Sequence, residues 1–197
     1  MVFHVDDSAL ACNDDDLMTW YKQKLGERFE FKMSGLEHFL GCVYDIDYEA
    51  RVIHITQSEQ ALKMLKGHDL ENATTRSTPY DPGQKFPTKA DIPTDPQELK
   101  RIMRSFDLPA GMGSLNYLQC GTFPGLTQVL KILSTALRAY GKKHIELCKR
   151  AMRYVAGHHR VGLTFKGGFP LQLQVFTDAS HASCPDTRRS ITAVVIK

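Results

Sequence analysis

The chain has 197 residues, of which 42% are hydrophobic and 24% are charged, and its formal net charge is +3. This length allows one domain or two small ones with a buried core. The five cysteines show neither C-x-x-C spacing nor a paired framework, which argues against a zinc finger or a secreted disulfide scaffold. With no apolar run of membrane-spanning length and no recognisable signal peptide, we expect an intracellular protein, cytoplasmic or nuclear, without a membrane partner.

Charge is distributed unevenly along the chain. Residues 1–16 contain five Asp and no Lys or Arg, whereas residues 138–166 contain eight Lys or Arg and one Glu. The acidic segment suits a metal cation, and the basic segment suits a phosphate backbone.

Residues 1–12 predict a β-hairpin with two carboxylates at its tip. Apolar residues flank Asp6 and Asp7 on both sides, and Asp tolerates turn backbone angles. Paired carboxylates suit Mg²⁺, which takes oxygen ligands and usually shares them with substrate phosphates. A solvated acidic turn is the alternative interpretation, because Asp-Asp pairs are common.

Two helices and three strands are predicted over the first third of the chain. A helix from about Leu17 places Trp20 on an apolar, core-facing side. Alternating apolar residues predict a strand over 29–33, and residues 40–48 and 51–57 predict a second hairpin. A second helix follows the hairpin, with capping-box spacing over 56–59 and a stop at Gly67.

The middle of the chain predicts a linker followed by helices. Residues 68–96 carry five of the nine prolines and no periodicity, which is typical of a long loop. Asp95 and Pro96 open a short helix that residues 107–113 interrupt. Apolar spacing then predicts two helices that pack as a pair, over 126–140 and 142–156, and strands at 161–165, 171–178 and 191–196.

The helix over 142–156 carries basic residues at spacings that place them in rows on its surface. We consider them candidate nucleic-acid contacts, although a solvated helix face explains them equally well. The residues are Lys142, Lys143, Lys149, Arg150 and Arg153.

Collinear segments over nearly the whole chain resemble the reverse transcriptases of copia-type LTR retrotransposon Pol polyproteins. The matching segments are His4-Val5-Asp6-Asp7, which is similar to a Tyr-x-Asp-Asp box, and residues 35–41, 55–65, 77–79, 113–118, 144–157, 177–179 and 186–190. The resemblance implies an α+β fold: the end of a palm and the start of a thumb over 1–67, a Pro-rich linker over 68–96, thumb and connection helices over 97–160, and a truncated start of an RNase H-like domain over 161–197.

The resemblance also implies site residues, a cofactor and partners. Asp6 and Asp7 match polymerase metal ligands, and Asp178 matches the first RNase H carboxylate. The metal implied for these carboxylates is Mg²⁺. A primer-grip role falls on Phe39, Leu40 and Gly41. The implied partners are an RNA or DNA primer–template and the remainder of the Pol polyprotein.

Three departures from the family pattern bear on activity. His4 replaces the usual Tyr, residues 107–112 resemble an insertion, and the carboxylates that complete both metal sites of the family find no match in this sequence. We therefore expect a fragment of an RNA-directed DNA polymerase that is inactive alone. The alternative is a degenerate transposon relic, or a non-catalytic nucleic-acid-binding remnant.

Overall fold

The computed structural model describes residues 1–170 and 172–197, and these form six α-helices and three small antiparallel sheets. The predicted α+β fold class is confirmed at this level. No helix among the described residues is both long and apolar enough to cross a membrane. The strands are β1 (Val2–His4), β2 (Asp7–Ala9), β3 (His38–Phe39), β4 (Cys42–Asp47), β5 (Val52–Thr56), β6 (Leu163–Lys166), β7 (Val175–Ser180) and β8 (Ile191–Ile196). The helices are α1 (Asp15–Gly26), α2 (Ser58–Gly67), α3 (Pro96–Ser105), α4 (Leu108–Gly121), α5 (Thr127–Ser134) and α6 (Lys142–His158).

The hydrophobic core lies between helices α2 to α6. α4 and α6 approach closely at Gly111, where an added Cβ would lie 2.8 Å from Met152 Cε and 3.2 Å from Cys148 Sγ. The predicted packing of the last two helices as a pair is confirmed, since α5 and α6 both contribute to this core. Its fully buried side chains include Ala61, Leu108, Leu115, Leu126, Val129, Leu133, Cys148, Met152 and Val155.

A four-stranded sheet, with the order β3-β4-β5-β6, packs beside the helices. The predicted hairpin of residues 40–57 forms its centre, with Val43 opposite Thr56. β6 returns from the far end of the chain to pair with β5, and His54 Nδ1 lies 2.9 Å from Thr164 Oγ1 across this pair. β7 pairs instead with β8 in a separate sheet, in register from Val175–Ile196 to Ser180–Ile191.

Some predicted elements are wrong near the N-terminus. Residues 29–33 form no strand, because no neighbouring strand pairs with their backbone. Helix α1 is present, but none of its residues is buried, and Trp20 is 55% exposed where we predicted a core position. An amphipathic pattern shows which face of a helix is apolar, and burial of that face requires a packing partner.

Helix boundaries differ from prediction in three places. α2 begins at Ser58 without the predicted capping box, because its N-cap is Gln57 and not Thr56, and the Gln57 side chain makes no capping bond. α3 ends at Ser105, close to the predicted interruption, but residues 108–113 are helical and begin α4, which Asp107 caps by accepting from Ala110 N–H at 3.0 Å. α5 ends at Ser134, where Ser and Thr hydroxyls bond the preceding carbonyls and tighten the chain into turns.

The predicted strand over 171–178 begins at Val175, and Leu171 lies outside the described residues.

The Gln57 side chain joins the central sheet to the helical core. It is 2% exposed, and its Oε1 accepts hydrogen bonds from Thr122 N–H at 2.9 Å and from Thr122 Oγ1 at 3.0 Å. Its Nε2 donates to the Tyr117 carbonyl at 3.3 Å. The Gln57 side chain, at the start of α2, therefore forms hydrogen bonds with polar groups at the C-terminal end of α4.

We expect Gln57→Ala to lower the free energy of unfolding by about 1–3 kcal/mol, because it leaves the buried Thr122 hydroxyl without its acceptor and removes the donor to the Tyr117 carbonyl. Urea unfolding measures the change. Gln97→Ala, at an exposed position of α3, is the control and should be nearly neutral. Equal effects of the two substitutions would show that the Gln57 bonds contribute nothing to stability.

His144 is buried in the first turn of α6 and is neutral in the folded protein. Its Nδ1 accepts a hydrogen bond from Gly141 N–H at 3.2 Å, so that protonation there would break the bond. Burial lowers the pKa of His144, although the carboxylates of Asp91 and Asp186 act in the opposite direction. Burial likewise raises the pKa of Cys148 to about 12, so this thiol is protonated and inert at neutral pH.

The depressed pKa of His144 predicts that stability falls as the pH falls. The unfolded histidine takes up its proton near pH 6.5, before the folded one does, so the stabilisation is complete above that pH and is lost below it. Thermal unfolding between pH 7.5 and 5 should show a shallower pH dependence in His144→Gln than in wild type. Burial also lowers the pKa of His68, so His68 contributes to the pH dependence of stability as well. The pH profile of His68→Gln measures that contribution separately from the contribution of His144. Identical pH profiles for wild type and His144→Gln would contradict the assignment.

Candidate nucleic-acid interface

The predicted acidic hairpin is present. β1 and β2 pair antiparallel with His4 opposite Asp7, and Val5 and Asp6 form the two-residue turn. Val5 has a positive φ of 53°, which this tight turn requires. Asp6 and Asp7 are exposed, so both carboxylates are free to meet a cation or solvent.

The third predicted carboxylate, Asp178, is exposed on β7 opposite Ala193. It belongs to the β7–β8 sheet, whereas Asp6 and Asp7 belong to the β1–β2 hairpin. Within residues 1–170 and 172–197, no three His, Cys, Asp or Glu side chains come together as a metal site. Two adjacent carboxylates suit part of a Mg²⁺ coordination shell, because this ion usually takes one or two carboxylates and completes its shell with water and phosphate oxygens.

The segment that resembles a primer grip is a tight turn. Leu40 and Gly41 have φ values of 52° and 69° and connect β3 to β4, so Leu40 is not the strand core residue that we predicted. Leu40 is 42% exposed, whereas the preceding Phe39 is buried. The Tyr117 hydroxyl donates to the Leu40 carbonyl at 2.8 Å and holds the turn against α4.

Two arginines of α6 hold the proline-rich loop, residues 68–96, against the helix. Arg150 Nη2 lies 2.6 Å from Asp81 Oδ1 and donates to Thr78 Oγ1 at 3.1 Å. Arg153 donates from its Nε to the Thr74 carbonyl, and its own carbonyl accepts from Arg76 N–H at 3.1 Å. These contacts explain why a segment without helix or strand lies along α6.

The three lysines of α6 are more exposed. Lys143 Nζ pairs with Asp91 Oδ1 at 2.7 Å, which raises the pKa of Lys143 and lowers that of Asp91. Lys149 Nζ lies 5.1 Å from the centre of the Phe106 ring, and Lys142 is exposed at the helix start. The structure thus divides the predicted nucleic-acid contacts into Arg150, Arg153 and Lys143, which bond the loop, and Lys142 and Lys149, which are exposed and form no ion pair in the described residues.

A cleft of about 410 Å³ opens between the loop and α6. Two loop residues, Arg76 and Lys85, line it together with four of the predicted basic residues of α6. Sequence reasoning missed these two, because a single basic residue in a proline-rich loop has no periodicity that assigns it to a face. Only the tertiary structure places the proline-rich loop beside the basic helix α6. We define the basic cleft by its six cationic residues, Arg76, Lys85, Lys143, Lys149, Arg150 and Arg153.

Comparisons with known proteins place these features in a family context. The chain is 29% identical over 193 residues to the retrovirus-related Pol polyprotein from transposon TNT 1-94 of Nicotiana tabacum, covering 98% of this chain and 14% of that protein. It is 28% identical over 198 residues to the retrovirus-related Pol polyprotein from transposon RE1 of Arabidopsis thaliana, covering 100% of this chain and 13% of that protein. An uncharacterised mitochondrial protein of Arabidopsis thaliana is 26% identical over 193 residues, covering 98% of this chain and 75% of that protein.

The chain therefore spans about one seventh of the length of the two polyproteins. No protein-family model matches it. No solved structure matches it either. The similarity to the polyproteins nevertheless extends over the whole chain, as the collinear segments require. The chain is thus a homologue of the retrovirus-related Pol polyproteins of plant transposons, which confirms the predicted resemblance to copia-type retrotransposon polyproteins.

Proposed function

We propose that the chain is a nucleic-acid-contacting segment of a retrotransposon reverse transcriptase. The observation that carries the proposal is the basic helix α6, with its exposed lysines, in a chain that is related to Pol polyproteins over its whole length. In this proposal residues 1–67 belong to the palm and the start of the thumb, and residues 97–160 form thumb and connection helices. Residues 161–197 begin an RNase H-like unit, although β6 of that segment pairs with the palm-side sheet.

Asp6 and Asp7 take the part of polymerase metal ligands in this proposal, and Asp178 that of an RNase H ligand. When bound, Mg²⁺ would stabilise charge on the phosphate oxygens that react. The hairpin turn supports this role, because it presents two adjacent, exposed carboxylates that form no ion pair within the described residues. The remainder of the Pol polyprotein would supply the other ligands.

We expect this chain on its own not to extend a primer with Mg²⁺ or Mn²⁺. Two-metal phosphoryl transfer needs ligands on both ions, and the described residues bring no third ligand to Asp6 and Asp7. A primer-extension assay on a labelled primer–template measures this, with an active reverse transcriptase as the positive control. Template-dependent synthesis that disappears in Asp6→Asn would show that the metal site is complete without other sequence.

Nucleic-acid binding needs no complete metal site, and we expect it to depend strongly on salt. Replacing Lys142 and Lys149 with Ala should weaken binding to all sequences alike. Because each lost phosphate contact changes the slope of log K against log salt by about 0.9 on a DNA duplex, the slope should become less steep by up to about two units. Fluorescence anisotropy at several salt concentrations measures affinity and slope together.

The matched control is Lys66→Ala with Lys100→Ala, which removes the same charge from exposed positions on α2 and α3. It should change the slope much less than the α6 variant does. Equal slopes in the two folded variants would leave α6 as an ordinary solvated helix face.

A non-catalytic relic is the second candidate, and one observation favours it. The mitochondrial relative is short enough for this chain to cover three quarters of its length, so similar sequence also occurs outside a full polyprotein. A relic that has lost nucleic-acid contacts should bind neither primer–template nor single strands in the anisotropy experiment, whereas a binding remnant should bind both without catalysis.

A further inference from the structure

The basic cleft concentrates positive charge between two segments that are distant in sequence. Its loop wall is formed by residues 76–87, and its helix wall by residues 143–153 of α6. Two carboxylates, Asp81 and Glu146, line it beside the six cations that define it. The fold therefore brings more cations together here than the acidic groups of the cleft can neutralise.

Only part of this charge is paired. Among the residues that the structure describes, Arg150 pairs with Asp81 and Lys143 pairs with Asp91, and the other four cations of the cleft have no carboxylate within salt-bridge distance. Arg150 Nε is also buried without a hydrogen-bond partner in the described part of the chain. Like charges held close together repel, so an anion with several acceptor oxygens would lower the energy of this arrangement.

We propose that the basic cleft binds the phosphate groups of a single nucleic-acid strand, an inference that rests on the proposed function and specifies the form of nucleic acid at this place. Its volume of about 410 Å³ is that of a small-ligand site, which admits a few backbone units and not the wide, rigid surface of a duplex. Arg guanidinium groups match phosphate oxygens in geometry, and Lys adds point charges beside them.

Binding in the cleft has a structural consequence, because the two walls belong to different segments. Arg76 and Lys85 are exposed residues of the loop, whereas Lys149 and Arg153 belong to α6. A strand whose phosphates contact both walls ties the loop to the helix. The loop amides should then exchange more slowly with solvent when the strand is bound.

The test compares two double variants of the full chain with equal changes in net charge. Arg76→Gln with Lys85→Gln removes two cleft cations that make no ion pair in the described residues, and Lys66→Gln with Lys100→Gln removes two exposed cations away from the cleft. The probes are a fluorescent twelve-residue oligothymidylate and, as a competitor, tripolyphosphate, which carries phosphate groups without sugar or base. Circular dichroism establishes that both variants are folded.

We expect the cleft variant to bind the oligothymidylate about tenfold more weakly than wild type, and the control variant less than about threefold more weakly. Tripolyphosphate should displace the oligonucleotide from wild type, and the oligonucleotide should slow hydrogen exchange of loop residues 76–87 in wild type but not in the cleft variant. If wild type binds the oligothymidylate and both variants bind it equally more weakly, the assignment of binding to the basic cleft is wrong. The proposed function is not affected by that result. If wild type binds tripolyphosphate but no oligonucleotide, the single-strand assignment fails, whereas the proposed function fails only if the primer–template is not bound either.

Discussion

The close contact between α4 and α6 is the constraint on which the rest of the structure depends. Gly111 leaves room for Met152 and Cys148 of α6, and a side chain at this position would require the Met152 side chain to shift. The other core helices pack around this contact, and it also sets the direction in which the remaining faces of α6 point. A packing contact on one face of α6 therefore sets where the basic residues on its opposite face lie.

In the proposed function, the outer face of α6 has a binding role beside its structural one. Arg150 is largely buried and bonds Asp81 and Thr78, so it holds the proline-rich loop in place. Lys142 and Lys149 remain exposed. Because a substitution of Arg150 would disturb the loop as well as the charge, the exposed lysines report on binding more directly. The loop then completes the basic cleft with cations of its own, which makes an ordered but irregular segment part of the candidate interface.

The candidate carboxylates lie at the periphery of this arrangement. The hairpin with Asp6 and Asp7, helix α1 and the sheet with Asp178 contribute no side chain to the helical core. Their local geometry comes from turns and strand pairing, which short segments can form by themselves. Chemistry at these carboxylates would thus require groups from outside the described residues, whereas the binding proposed for α6 would use residues that this chain itself positions.

The sequence by itself determined many of the local elements and the similarity to Pol polyproteins. The Asp-Asp hairpin, the hairpin of residues 40–57, the cap at Asp95, the stop at Gly67 and helix α6 follow from turn formers, caps and apolar spacing, which act over a few residues. Tertiary structure alone decided which faces are buried. It left Trp20 exposed because no described element covers α1, and it bonded the Gln57 side chain to Thr122. It also paired β6 with the central sheet and placed Arg76 and Lys85 opposite α6. Each of these outcomes depends on residues distant in sequence, whose approach leaves no periodic signal in the chain.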